Sequence, residues 1–203
     1  MLTLIIGGAR SGKSRFAQSL CCSSPRVAYV ATARVEDEEM RGRVARHRQD
    51  RPPNWITFEE PLAISEIIRQ HTLKFDFMIV DCLTLWLGNL CWSMRENSFQ
   101  ALEWRALDEV ERLVETARST RLVVVTNEVG QGIVPESPLG RLFRDLQGWI
   151  NQAVAGKADL VYQMVAGIPI PIKSQKGGNA TPHGSGSYRR FARAMWDHLE
   201  RFR

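Results

Sequence analysis

Short, continuous apolar runs alternate along this chain with longer stretches in which apolar residues recur every three or four positions. "LTLIIGG" (Leu2 to Gly8), "RVAYVATA" (Arg26 to Ala33), "FDFMIVDCLT" (Phe75 to Thr84) and "TRLVVVTNEV" (Thr120 to Val129) are rich in β-branched and leucine side chains. Such runs predict strands buried on both faces of a parallel sheet. Between them, "KSRFAQSLCC" and "DEEMRGRVARHRQ" read as helices, the second charged and with Met40 and Val44 on one side. "FQALEWRALDEVERLVETAR" is strongly amphipathic, placing Leu102, Leu107, Val110, Leu113 and Val114 on one face. "ADLVYQMVAGIPIPI" reads as a last strand, whose Pro169 and Pro171 push its end to a sheet edge. Alternating strands and helices imply an α/β fold with a mostly parallel, helix-covered sheet. Right-handed crossovers would gather the C-terminal strand ends on one side, where ligands bind.

From Ser174 the pattern stops. Residues 174–188 are glycine, serine, asparagine and proline with hardly an apolar position, which predicts a flexible linker. Residues 189–203 then place Phe191, Met195, Leu199 and Phe202 on one side of a basic amphipathic helix. The domain proper is therefore expected over residues 1–173. With 44% hydrophobic and 24% charged residues, composition excludes disordered and fibrous classes. The net charge of +5 is spread along the chain and densest at its C-terminus, so it gives no reason to expect a nucleic-acid partner. Cys21, Cys22, Cys82 and Cys91 have neither disulfide-framework nor metal-ligand spacing, and predict reduced thiols in the cytoplasm. No apolar run reaches the ~20 residues of a membrane helix, so no integral membrane segment is expected.

The first chemistry lies between the first strand and the first helix. Gly7, Gly8, Ala9, Arg10, Ser11, Gly12, Lys13 and Ser14 match G-x-x-x-x-G-K-[ST]. Glycines there let backbone N–H groups curl around phosphate oxygens, the helix N-terminus adds a favourable field, and the lysine bridges outer phosphates. The Ser14 hydroxyl and the Asp81 carboxylate, which ends the third apolar strand, are candidate donors to Mg²⁺. This predicts a P-loop NTPase-like, RecA-like fold. The loop alone fits ATPases, GTPases, recombinases and small-molecule kinases equally.

The second candidate is His47, on the charged helix with Arg43 one turn before it, Arg46 and Arg48 beside it and Arg51 just beyond. Surrounding cations disfavour imidazolium, so the ring would be neutral and nucleophilic, and the same arginines could neutralise an attacked nucleotide. From spacing alone, a surface histidine on a solvated basic helix is the stronger reading.

Several blocks resemble the bifunctional adenosylcobinamide kinase/adenosylcobinamide-phosphate guanylyltransferase family of cobalamin synthesis. They are "GGARSGKSRFAQ" at 7 to 18, "YVATARVEDEEMRGRVARHRQDRPPNWITFEEP" at 29 to 61 and "DCLTLWLGNL" at 81 to 90. "TNEVGQGIVPESPLGRLFRDLQGWINQ" at 126 to 152 and "ADLVYQMVAGIPIPIK" at 158 to 173 complete the set. The resemblance implies two reactions: phosphorylation of the adenosylcobinamide hydroxyl by ATP or GTP, then transfer of GMP from GTP through a guanylylated histidine onto adenosylcobinamide phosphate. It implies that His47 is that histidine and that Lys13 serves the phosphate loop. Thr32, Ala33, Arg34, Asp50, Arg51, Pro52, Pro53 and Glu59 would contact guanine nucleotide, and the protein would be a homotrimer with sites between subunits. Two departures stand out: Trp149 occupies a position where the resemblance leads one to expect a basic residue, and the segment from Ser174 has no counterpart. "TNEVG" reads either as polar groups facing nucleotide or as helix capping by Asn127. Trp55 and Trp86 read as core or subunit interface in preference to corrin stacking.

Overall fold

A computed structural model describes residues 1–34, 38–49 and 51–174, with the side chains of Glu39, Met40, Arg43 and Arg46 outside that description. The expected linker at 174–188 beyond Ser174, and the helix at 189–203, also lie outside the described residues. In chain order the elements are β1 (Leu2–Gly7), α1 (Lys13–Cys21), β2 (Val27–Ala31), α2 (Glu38–Gln49), β3 (Ile56–Glu59), α3 (Ile64–His71) and β4 (Phe77–Asp81). There follow α4 (Leu83–Ser93), α5 (Phe99–Thr116), β5 (Leu122–Asn127), α6 (Pro138–Lys157), β6 (Leu160–Val165) and β7 (Ile168–Lys173).

All seven strands form one sheet in the order β3-β2-β4-β5-β1-β6-β7. The first six run parallel, and β7 is antiparallel to β6. Every parallel strand thus ends on the same side of the sheet. The strand bearing the phosphate loop, β1, is separated from β4 and its Asp81 by β5.

The two faces are covered unequally. On one, residues of α3, α4, α5 and α6 pack around Leu4, Val30, Val80 and Val124, with Trp86 fully buried among them. On the other, α1 is the one helix among the described residues that joins the core, through Phe16, Ala17 and Cys21 against Ile5, Val123 and Val125. At the β2 end of that face the described cover comes from Trp55, 7% exposed. Trp55 and Trp86 are therefore core residues of opposite faces, and the Trp86 indole N–H donates to the Leu62 carbonyl at 2.8 Å. Trp149 is likewise partly buried against the core.

Several elements depart from expectation for local reasons. The final apolar segment is not one strand but a hairpin, turning at Ala166 and Gly167, both with positive φ (50° and 84°). That two-residue geometry matches the right-handed twist of antiparallel strands. The third apolar run ends at Asp81 and becomes α4, whose sequence "LTLWLGNLCWS" is apolar on nearly every side and carries no helical period. In α5, Ala106 is fully buried while Leu107 is half-buried, a rotation from the expected stripe. α6 begins at a Ser137 cap, whose Oγ accepts from the Gly140 N–H at 3.1 Å, with Pro138 in the first turn. Asn127 is not a helix cap.

Candidate functional site

The phosphate loop spans the gap from β1 to α1. A Cβ on Gly7 would stand 2.6 Å from the Met164 carbonyl oxygen, so β6 leaves room for glycine only. Gly12 has φ +95°, the left-handed region that side chains disfavour. Arg10 also has positive φ (57°), a strain of order 1–3 kcal/mol for a non-glycine residue and a common mark of binding loops. The hairpin props the loop from outside: the Gly167 N–H donates to the Ser11 carbonyl at 3.0 Å, and Gly167 Cα would stand 3.3 Å from a Cβ on Gly12. From the other flank the Glu128 N–H donates to the Gly7 carbonyl at 3.2 Å.

Lys13 is 7% exposed, and its Nζ donates to the Gly8 carbonyl at 2.6 Å. Burial lowers its pKa, opposed by the negative potential of the Cys82 and Asp81 side chains. The ammonium is thus folded back within its own loop. Ser11 Oγ is buried with no partner, an unsatisfied polar atom inside the loop.

Asp81 ends β4 on the face of α1, two residues beyond the buried Ile79. Its Oδ2 accepts a hydrogen bond from the Tyr29 hydroxyl. Burial, first, and then the Asp81 charge push the Tyr29 pKa well above the ordinary phenol value, so Tyr29 is the donor. Just past β2, Thr32 is fully buried; its Oγ1 donates to the Cys82 carbonyl and accepts from the Cys82 N–H, both at 2.8 Å. Asn89 Nδ2 donates to the Thr32 carbonyl at 2.7 Å, closing the turns after β2 and β4 onto one another. Thr32 therefore acts here through its backbone neighbours, with Ala33 and Arg34 half-buried beside it.

Asn127, the last residue of β5, lies opposite Gly7 in register. Its N–H donates to Thr84 Oγ1 at 2.9 Å, and its carbonyl accepts from Asn151 Nδ2 at 3.0 Å. Asn151 belongs to a buried set with Thr126 and Gln147, which fixes this strand end from behind. The "TNEVG" stretch thus lies beside the phosphate loop.

His47 is elsewhere. It is exposed on α2, and among the described side chains of that helix only Val44 is half-buried. Arg48 pairs with Glu59 at 3.0 Å, tying the end of α2 to the edge strand β3. Between β1 and β3 lie four strand spacings, about 19 Å, so the two candidate centres occupy opposite ends of one ledge. Between them, the Arg51 guanidinium lies 3.7 Å over the Tyr29 ring and its Nη1 donates to Thr57 Oγ1 at 3.1 Å. Pro52 is half-buried and Pro53 exposed on the same connection; Asp50 lies outside the described residues.

The site therefore brings together Gly7 to Ser14, Asp81 and Thr32, and sets His47 and Glu59 apart. Sequence reasoning missed Tyr29, Thr84, Asn89 and Asn151, all joined by contacts distant along the chain. Tyr29 alone carried a signal, as the one polar group in the strand "VAYVA".

Two solved structures share the fold. An ATPase from the type III secretion system of pathogenic bacteria matches with TM-score 0.50 and 12% identity over 80% of this chain and 50% of its own. A protein of Pyrococcus horikoshii matches with TM-score 0.51 and 12% identity over 91% of this chain and 93% of its own. The bifunctional adenosylcobalamin biosynthesis protein CobP of Pseudomonas aeruginosa is 43% identical over 178 residues, 86% of this chain and 99% of the relative. CobU proteins of the same description from Escherichia coli and Salmonella typhimurium are 39% and 38% identical over 181 residues, 85% of this chain and 100% of each relative. The profile of the family described as cobinamide kinase / cobinamide phosphate guanyltransferase matches residues 3–172, and the chain belongs to that family.

Proposed function

We propose that the protein phosphorylates adenosylcobinamide and then converts the product to adenosylcobinamide-GDP, in the assembly of cobalamin. The observation that carries this reading is the coexistence, on one sheet edge, of a complete phosphate loop and a distant exposed histidine within the region matched by the family. In the first step the substrate hydroxyl attacks the γ-phosphorus of ATP or GTP and the nucleoside diphosphate leaves. The loop backbone from Gly7 to Gly12 holds the phosphates, and Lys13 leaves the Gly8 carbonyl to place its charge on them. In the second step a His47 ring nitrogen attacks the α-phosphorus of GTP and pyrophosphate leaves; a phosphate oxygen of the substrate then attacks the same phosphorus, the P–N bond breaks and the imidazole leaves, giving adenosylcobinamide-GDP. Thr32, Ala33, Arg34, Asp50, Arg51, Pro52, Pro53 and Glu59 serve the guanine nucleotide in this reading.

Ser14 and Asp81 fit a magnesium ion that arrives with the nucleotide, because they are hard oxygen donors beside the loop and one Asp81 oxygen is free of the Tyr29 bond. No group of three His, Cys, Asp or Glu side chains among the described residues could hold a metal by itself, which suits an ion shared with phosphates. When bound, the ion would supply positive charge that offsets the developing charge on the transferred phosphoryl group. We also place the working protein in the cytoplasm, as a homotrimer in which a second copy approaches His47. The free cysteines and the exposed position of α2 support these two points. No helix among the described residues is long and apolar enough to cross a membrane.

Incubation with GTP and Mg²⁺ followed by mass spectrometry tests the reading. A GMP adduct on His47, together with phosphorylation of adenosylcobinamide, is expected. An active kinase without the adduct would reduce the protein to a small-molecule kinase.

A further inference from the structure

A phenol in the middle of a buried strand needs an acceptor, and Tyr29, 1% exposed, has one in Asp81 Oδ2 on the adjacent strand. The register explains the reach. Tyr29 lies opposite Ile79, so Asp81 is its diagonal neighbour two residues further on, within range of a long aromatic side chain. This bond holds the carboxylate in one orientation and leaves its other oxygen free of the tyrosine, in a carboxylate whose charge acts on Lys13 of the phosphate loop.

The ring of the same tyrosine carries Arg51. The guanidinium is stacked at 3.7 Å, bonded once to Thr57, and its Nε is buried without a partner. Among the described residues no carboxylate pairs with Arg51. An arginine held by an aromatic face and a hydroxyl keeps its full charge for an anion, whereas one held by an acid does not.

We propose that Tyr29 is a positioning residue shared by both reactions: its hydroxyl orients Asp81 at the phosphate loop, and its ring orients Arg51 toward the nucleotide that guanylylates His47. The inference rests on the function proposed above and adds the residue that connects its two centres.

Tyr29→Phe removes the hydroxyl and keeps the ring; Tyr29→Leu removes both. Affinity for a methylanthraniloyl-labelled GTP, titrated in Mg²⁺ and again in EDTA, separates a role in orienting Asp81 from general loosening. For Tyr29→Phe the gain in affinity brought by Mg²⁺ should shrink about 10- to 100-fold, with affinity in EDTA unchanged and the His47 adduct forming at its normal rate. For Tyr29→Leu, adduct formation should also slow by about tenfold, as for Arg51→Ala, and the double variant should be no slower than either single one. A normal Mg²⁺ response in Tyr29→Phe, an equal loss in EDTA, or a normal adduct rate in Tyr29→Leu overturns the proposal. If the unsubstituted protein itself shows neither Mg²⁺-dependent binding nor adduct, the proposed function fails and this inference falls with it.

Discussion

The phosphate loop and the histidine helix sit on the same sheet edge but are built in opposite ways. Around β1, β5 and β4 the strands are buried on both faces, and each strand end is tied to its neighbours: Gly7 by Glu128, Ser11 by Gly167, Asn127 by Thr84 and Asn151. At β3 the strand has four residues, two of them exposed, and α2 is joined to it by the exposed Arg48–Glu59 pair. A pair of that kind contributes at most about 1 kcal/mol. The loop is therefore organised before nucleotide arrives. Among the described side chains of the histidine segment, none is fully buried, so its contacts with the body are few by comparison. Such a division suits the two steps proposed above, since phosphoryl transfer depends on fixed electrostatics while the proposed GMP transfer through His47 would require that side chain to face two different partners in turn.

The largest expected effect separates the two ends outright. His47→Ala should lower GMP transfer by about four to six orders of magnitude, the usual cost of deleting a covalent nucleophile. Because His47 is exposed on α2, whose end is tied to β3, four strands away from β1, kinase turnover and melting temperature should stay as they were. Separate assays of adenosylcobinamide phosphate and adenosylcobinamide-GDP check this. Loss of both activities would mean that the two centres are one.

Lys13→Ala should lower phosphorylation by about 100- to 1000-fold, through loss of charge at the transferred phosphate. Its readout is initial kinase rate at saturating nucleotide. Retained turnover would remove the loop from the kinase reaction.

Gly7→Ala acts on structure. The new methyl would meet the Met164 carbonyl at 2.6 Å, a backbone atom that β6 cannot move cheaply. Overpacking of this kind costs about 1–3 kcal/mol. For a domain of this size that is a fall in melting temperature of roughly 2–12 °C, accompanied by weakened nucleotide binding, and calorimetry with a binding titration measures both.

How much of this was legible in the sequence follows the same division. The phosphate loop could be placed because its motif is contiguous and its flanking strands are continuous apolar runs; Leu2, Leu4 and Ile5 are buried as that pattern requires. The hairpin was read as one strand because Ala166, one of its two turn residues, gives no turn signal. It is nevertheless what supports Ser11 and Gly12. α4 was hidden by being apolar all round, and β3 by its shortness. The Tyr29–Asp81–Arg51 connection depends on strand order, which no local pattern encodes. His47 stood out by resemblance; its geometry, an exposed helix on the sheet margin, would have drawn no attention.

The finest probe of the contrast is Gly42→Ala. Gly42 lies inside α2, and among the described residues nothing stands within 4 Å of the position a Cβ would take, so the substitution is expected to add helix propensity without steric cost. Alanine favours a helix interior over glycine by about 0.5–1 kcal/mol. In an element that unfolds only with the whole domain, this gain would raise the melting temperature by roughly 1–4 °C. In a helix that opens locally, the expectation for α2, the gain should instead appear as hydrogen exchange slowed about two- to fivefold in α2 amides, with β5 amides and the global transition unchanged. A raised melting temperature with uniform slowing across β5 would show α2 to be part of the cooperative core. The organisation of the histidine segment would then have to be sought in the fold itself and not in the ligand.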